Sequence, residues 1–147
     1  MLPAWDSDGL LPPGVHEATW EEIVARFGSS EHRKDLLAGL RDALDDLRSV
    51  GCVLVFLDGS FVTNKEVPGD YDLCWEMDGV DLAALPAAFW DLNPPRAMQQ
   101  ARYRGDLLPN VTEASGGKLF VEFFQQDKTT GGAKGIVSID LGQEEVK

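Results

Sequence analysis

Basic side chains are scarce in this 147-residue chain: 13 Lys and Arg stand against 25 Asp and Glu, a net charge of −12. Proteins that grip long DNA or RNA draw most of their affinity from a basic footprint on the phosphates, so a polyanion is a disfavoured partner. The sign suits a small ligand carried with a metal, or a basic protein partner. Cysteine is nearly missing too. Cys52 and Cys74 are the only two, and each sits in an apolar run where it reads as a small buried hydrophobe of a reducing compartment. With His16 and His32 away from finger-like spacing, they are too few for a thiolate zinc site. No apolar stretch approaches the ~20 residues of a membrane span. The opening MLPAWDSDGLLPPG lacks the basic start and apolar core of a secretion signal. The expected setting is therefore the cytoplasm, away from membranes. Repeats and low-complexity tracts are absent as well, and the length predicts one domain over residues 1–147, with a Pro- and Gly-rich arm at 1–15.

What is present is a readable order of elements. Thr19-Trp20-Glu21-Glu22 has capping-box spacing, which predicts a helix running to Phe27 and stopped by Gly28. Ser29 or Ser30 caps a longer helix whose Leu36, Leu37, Leu40, Leu44, Leu47 and Val50 form one apolar stripe. Residues 52–57 read as a strand buried on both faces, and residues 71–77 as an alternating one. Helical segments are expected at 80–90 and 95–104, the second capped by Asn93 with Pro94 in its first turn. Strands are expected again at 118–125 and 136–141. Two helices, a strand–turn–strand pair, helices and further strands predict an α+β fold with a mixed sheet packed against helices.

The chemistry concentrates in residues 57–75, LDGSFVTNKEVPGDYDLCW. A strand runs into Gly59-Ser60, where glycine lets the backbone approach a ligand and serine adds a hydroxyl beside free amides, a geometry suited to phosphate oxygens. After a gap of nine residues (61–69) come Asp70 and Asp72, two apart, so that both carboxylates leave the same face of a strand. Side-by-side carboxylates repel unless a cation lies between them. A hard, oxygen-seeking ion such as Mg²⁺ or Mn²⁺, arriving with phosphates, supplies that charge. Simpler readings compete: a plain turn at Gly59-Ser60, Asp70 in a Pro-Gly-Asp turn, and Asp72 facing solvent.

This pattern of apolar strand, Gly-Ser, a short gap and Asp-x-Asp resembles the signature of the polymerase-β-like nucleotidyltransferase superfamily. The set LPPGVHEAT, the 57–75 stretch, VEFFQ and KGIVSIDL is similar, over nearly the whole chain, to a bacterial and phage family of small nucleotidyltransferase-fold proteins. The resemblance implies a minimal nucleotidyltransferase fold. It implies Gly59 and Ser60 on the triphosphate of an NTP, and Asp70, Asp72 and a third carboxylate on two Mg²⁺ or Mn²⁺ ions. Glu122 is the expected third: a charge between Val121 and Phe123 is costly unless it faces a site or solvent. The implied reaction moves a nucleotide to a hydroxyl of a protein or RNA acceptor, in a toxin–antitoxin or phage-conflict setting. The alternative is a catalytically inactive member acting as an antitoxin-like partner or nucleotide sensor.

Several charges remain open on sequence grounds. Lys65, between the two halves of the motif, either reaches a phosphate or is solvated. Asp58 departs from the usual apolar residue before Gly-Ser, and the simpler expectation turns it away from the aspartate pair. Arg102, Arg104 and Lys118 are expected as exposed charges, with phosphate or acceptor contact as the alternative. Trp75 and Trp90 are expected in the core.

Overall fold

The computed structural model describes residues 2–110 and 134–142. Helix α1 (Trp20–Phe27) starts where the capping box places it: the Glu22 amide donates to Thr19 Oγ1 at 3.2 Å, and the Thr19 amide to Glu22 Oε1 at 3.1 Å. Ser30 caps α2 (Glu31–Ser49), accepting from the Arg33 amide at 3.1 Å. The α2 stripe Leu36, Leu37, Leu40, Leu44 and Leu47 is buried.

Among the described residues, five strands form one sheet: β1 (Gly14–Glu17), β2 (Leu54–Asp58), β3 (Tyr71–Trp75), β4 (Gly105–Pro109) and β5 (Gly135–Asp140), in the order β1-β5-β2-β3-β4. The pairs β1–β5 and β3–β4 are parallel, whereas β5–β2 and β2–β3 are antiparallel. The fold is thus α+β with a mixed sheet. On one face Val55, Leu57, Leu73, Trp75 and Leu107 pack with the leucines of α2. On the other, Phe56, Cys74, Leu108 and Ile136 make a smaller cluster. Both cysteines are buried free thiols, and burial pushes the Cys74 thiol far above its ordinary pKa. No helix among the described residues is long and apolar enough to cross a membrane.

Two strands depart from the sequence expectation, because β1 starts at the end of the presumed arm and runs past it, and β4 follows directly on a helix. The helix expected at 80–90 is instead two 3-10 turns, Leu82–Ala84 and Ala87–Trp90. The one expected at 95–104 shortens to α3 (Ala97–Tyr103), with Arg96 rather than Asn93 at its cap. The strand expected at 118–125 lies outside the described residues. The arm is tied down: Arg26 donates to the carbonyls of Pro3 and Leu2 at 2.6 and 3.0 Å, and Asp6 Oδ1 accepts from the amides of Asp8 and Leu10.

Helix α3 is seated on α2 through Gly39. A Cβ there would lie 2.1 Å from the Tyr103 carbonyl oxygen, which also accepts the Tyr71 hydroxyl at 2.8 Å. Alanine gains about 1 kcal/mol in helix propensity but overpacks a backbone contact, at a cost of about 3 kcal/mol. Gly39→Ala should therefore lower stability by about 2 kcal/mol, read as a fall in the urea midpoint. An unchanged midpoint would mean that α3 shifts freely.

Candidate functional site

Chain direction decides where the polar residues of the sheet gather. Asp58 ends β2 and is paired in register with Asp72 on β3, which in turn is paired with Asp106 on β4. Register partners share a face, so three aspartates form a row across three adjacent strands, with paired Cα atoms about 5 Å apart. Like charges set opposite one another destabilise a sheet, and here each flank of the row has a dedicated partner. Lys134 Nζ lies 3.1 Å from Asp58 Oδ1. Arg96 Nη1 lies 3.3 Å from Asp106 Oδ2. Gln100 Nε2 donates both to Asp106 Oδ1 at 2.8 Å and to Asp70 Oδ2 at 2.9 Å, so one amide on α3 bridges two carboxylates.

The two halves of the sequence motif meet here. Gly59, Ser60, Thr63, Asp70 and Asp72 line one cavity of about 320 Å³, together with Leu10 from the arm and Lys134. Gly59 has φ 92° and ψ −178°, a backbone region essentially reserved for glycine. The turn after it is a short 3-10 helix, Ser60–Val62, and the Thr63 hydroxyl donates to the Ser60 carbonyl at 2.6 Å. Behind this turn stands Arg33, only 3% exposed. Its guanidinium donates to the carbonyls of Phe27, Phe61, Thr63 and Lys65. The neighbouring His32 Nε2 hydrogen-bonds the Pro68 carbonyl. The start of α2 therefore fixes the whole segment between Gly-Ser and the aspartates. Tyr71, between those aspartates, points the other way into the core. Burial first, then the nearby phenol of Tyr103, pushes its pKa well up, and it serves as a donor.

Asp70 and Asp72 thus share a cavity with Gly59 and Ser60. Lys65 does not line it: its side chain is exposed, and its backbone serves instead, the carbonyl accepting from Arg33 and the amide donating to Thr63 Oγ1 at 3.2 Å. Asp58 is not a charge turned away from the pair. It is 3% exposed and shares the face of Asp72, because β2 runs one residue further than expected and the β2–β3 register sets the two opposite. Glu122 and Lys118 lie outside the described residues. Arg102 pairs with Asp46 at 3.1 Å near the surface, and Arg104 ends α3 exposed. Trp75 is fully buried, whereas Trp90 is 44% exposed with its ring edge-on to Trp75.

Sequence reasoning missed Asp106, Gln100, Arg33 and Lys134. Asp106 had the available signal of a charge beside an apolar pair, Leu107-Leu108, but β4 itself was not recognised. Among the described residues, no three His, Cys, Asp or Glu side chains converge closely enough to hold a metal ion by themselves. Asp70 and Asp72 nevertheless offer hard oxygen ligands at one cavity wall. Mg²⁺ typically takes one or two carboxylates and completes its shell with water and substrate phosphates, so the donor set fits an ion that arrives with its ligand.

No curated protein and no solved structure matches the chain. A family model does match residues 3–140, a span that contains most of the arm, the Gly59–Ser60 turn, the aspartate row and Lys134. The chain therefore belongs to the family of unknown function DUF6932.

Proposed function

We propose that the chain is a Mg²⁺- or Mn²⁺-dependent nucleotidyltransferase that moves a nucleotide from an NTP to a hydroxyl of a protein or RNA acceptor. The observation that carries this reading is the meeting of Gly59-Ser60 with Asp70 and Asp72 in one cavity. Gly59 lets the backbone approach the triphosphate, and the Ser60 hydroxyl donates to its oxygens. Asp70 and Asp72 would hold the divalent ion, which when bound offsets the phosphate charge. The row extends to Asp106 on β4, a third carboxylate on a later strand. In the reaction, the acceptor oxygen bonds to the α-phosphorus, the bond to the β-phosphate oxygen breaks, and pyrophosphate leaves. The hydroxyl proton passes to a carboxylate of the row. The acidic composition favours a basic protein over RNA as acceptor, in a toxin–antitoxin or phage-conflict setting.

A second reading has its own support. Asp58 and Asp106 are occupied by internal cations, and Gln100 stands between Asp70 and Asp106. That arrangement suits a module that binds nucleotide without turnover.

Isothermal titration of each NTP, with and without MgCl₂, tests the site. Wild type should bind only with Mg²⁺, and the Asp70→Asn/Asp72→Asn double variant should lose about tenfold or more in affinity. Equal binding by both proteins would sink the assignment. Pyrophosphate release in the presence of a basic protein acceptor separates the enzyme from the module.

A further inference from the structure

Lys134 is an unusual residue to find beside such a cavity. Its side chain is 12% exposed and that of Asp58 is 5% exposed, yet the lysine also lines the cavity with Ser60 and Asp72. The backbone holds it in place, since the Gly135 amide donates to the Leu11 carbonyl at 3.0 Å and β5 pairs with β1 from Gly135 onward. A buried ion pair must offset the desolvation of both charges, and apolar residues of equal volume often serve stability as well or better. Anchoring a strand end is thus a weak reason to keep one. The position gives a better reason. Asp58 directly precedes Gly59, which brings the ammonium to the turn where the backbone is open to a ligand.

The charges point the same way. Asp70 and Asp72 line the cavity with Asp58 beside them, and Lys134 is the single cation among its described lining residues. A triphosphate entering here meets repulsion that a metal on Asp70 and Asp72 would offset on one side only. We propose that Lys134 receives the terminal phosphates of a nucleoside triphosphate seated on the Gly59–Ser60 turn, with Asp58 offsetting part of the ammonium charge. This rests on the nucleotide reading above. An ammonium has three donors on a compact point charge, so Lys134 can keep Asp58 and take a phosphate oxygen together.

The test is calorimetric titration of ATP and of inorganic triphosphate, each with MgCl₂, into wild type and three variants. Lys134→Gln should weaken both ligands by about tenfold or more. Asp58→Asn removes a negative charge from the cavity wall and releases the ammonium, and should tighten both by about threefold. A pair that only holds the sheet together would give no tightening. Because Lys134→Gln leaves Asp58 buried without its cation, the Asp58→Asn/Lys134→Gln variant serves as the folded control and should bind more weakly than Asp58→Asn by about tenfold. Wild-type binding that survives unchanged in both Lys134 variants overturns the lysine assignment and leaves the nucleotide reading standing. A loss confined to ATP, with triphosphate unaffected, moves the lysine onto the nucleoside and overturns the assignment as well. Wild type that binds neither ligand overturns both readings.

Discussion

Replacing Arg33 with methionine should lower the unfolding free energy by about 3–5 kcal/mol, one of the largest effects of any single substitution in this chain. The guanidinium forks under the loop that follows Gly59-Ser60: Nη1 donates to the Phe61 carbonyl at 2.7 Å and to the Phe27 carbonyl at 3.3 Å, Nη2 to the Thr63 carbonyl at 2.8 Å and to the Lys65 carbonyl at 2.5 Å. It also lies over the Phe61 ring, 5.2 Å from its centroid. Burial lowers its pKa from the ordinary value, but an arginine remains charged at any physiological pH. Methionine fills the volume and donates nothing. Each buried carbonyl left without a donor costs about 1–3 kcal/mol. Thr63 and Lys65 lie closer to solvent, where water recovers part of the loss, so the total stays below four full penalties. Arg33→Lys should restore less than half, because an ammonium cannot reproduce the planar fork. Urea denaturation reads both variants. A loss under about 1 kcal/mol for methionine would mean that water satisfies the carbonyls and that the clamp is dispensable.

That clamp was invisible in the sequence, and the reason is physical. Arg33 sits three residues after a serine cap and reads as one more helix charge. Its burial depends on a loop some 30 residues away that wraps over the start of α2. What was legible was local: the Thr19–Glu22 box, the Ser30 cap and the α2 leucine stripe each follow from spacing within one element. The meeting of Gly59-Ser60 with the Asp70–Asp72 pair was legible too, since a strand, a short loop and a second strand leave few other arrangements.

Contacts between distant segments were not legible. Gly105-Asp106-Leu107-Leu108-Pro109 contains glycine, proline and no β-branched residue, which argues against a strand. It forms β4 because it pairs in parallel with β3 and because the Tyr71 ring lies across Gly105, where a Cβ would come 2.5 Å from that ring. With β4 unread, Asp106 had no place beside Asp72. Asp58 illustrates the parity problem. Alternation along β2 puts it on the face of Phe56, but only the inter-strand register decides that this is also the face of Asp72. Lys134 ends a Gly-rich stretch that reads as a loop, and only the pairing of β5 with β2 brings it to Asp58.

Gly59→Ala should affect stability and ligand binding together, which sets it apart from every other change at the turn. At φ 92° and ψ −178° a side chain adds strain of about 1–3 kcal/mol. The new methyl would also stand 3.2 Å from both the Asp72 amide nitrogen and Asp72 Oδ2, closer than ordinary van der Waals contact. Relief can come only by moving the end of β2 or by pushing the Asp72 carboxylate out of its place in the row. The expected loss is about 2–4 kcal/mol of stability, with a fall of about tenfold or more in affinity for ATP with Mg²⁺. Ser60→Ala is the contrast. It removes one hydroxyl from a half-buried position, so stability should move by no more than about 0.5 kcal/mol. Affinity should drop by about tenfold through the lost bond to a charged oxygen. Thermal melts and calorimetry on the two variants separate the contributions of backbone and hydroxyl. If folded Gly59→Ala binds ATP as wild type does, the ligand does not approach this turn, and the cavity beside Asp70 and Asp72 must serve something other than a triphosphate.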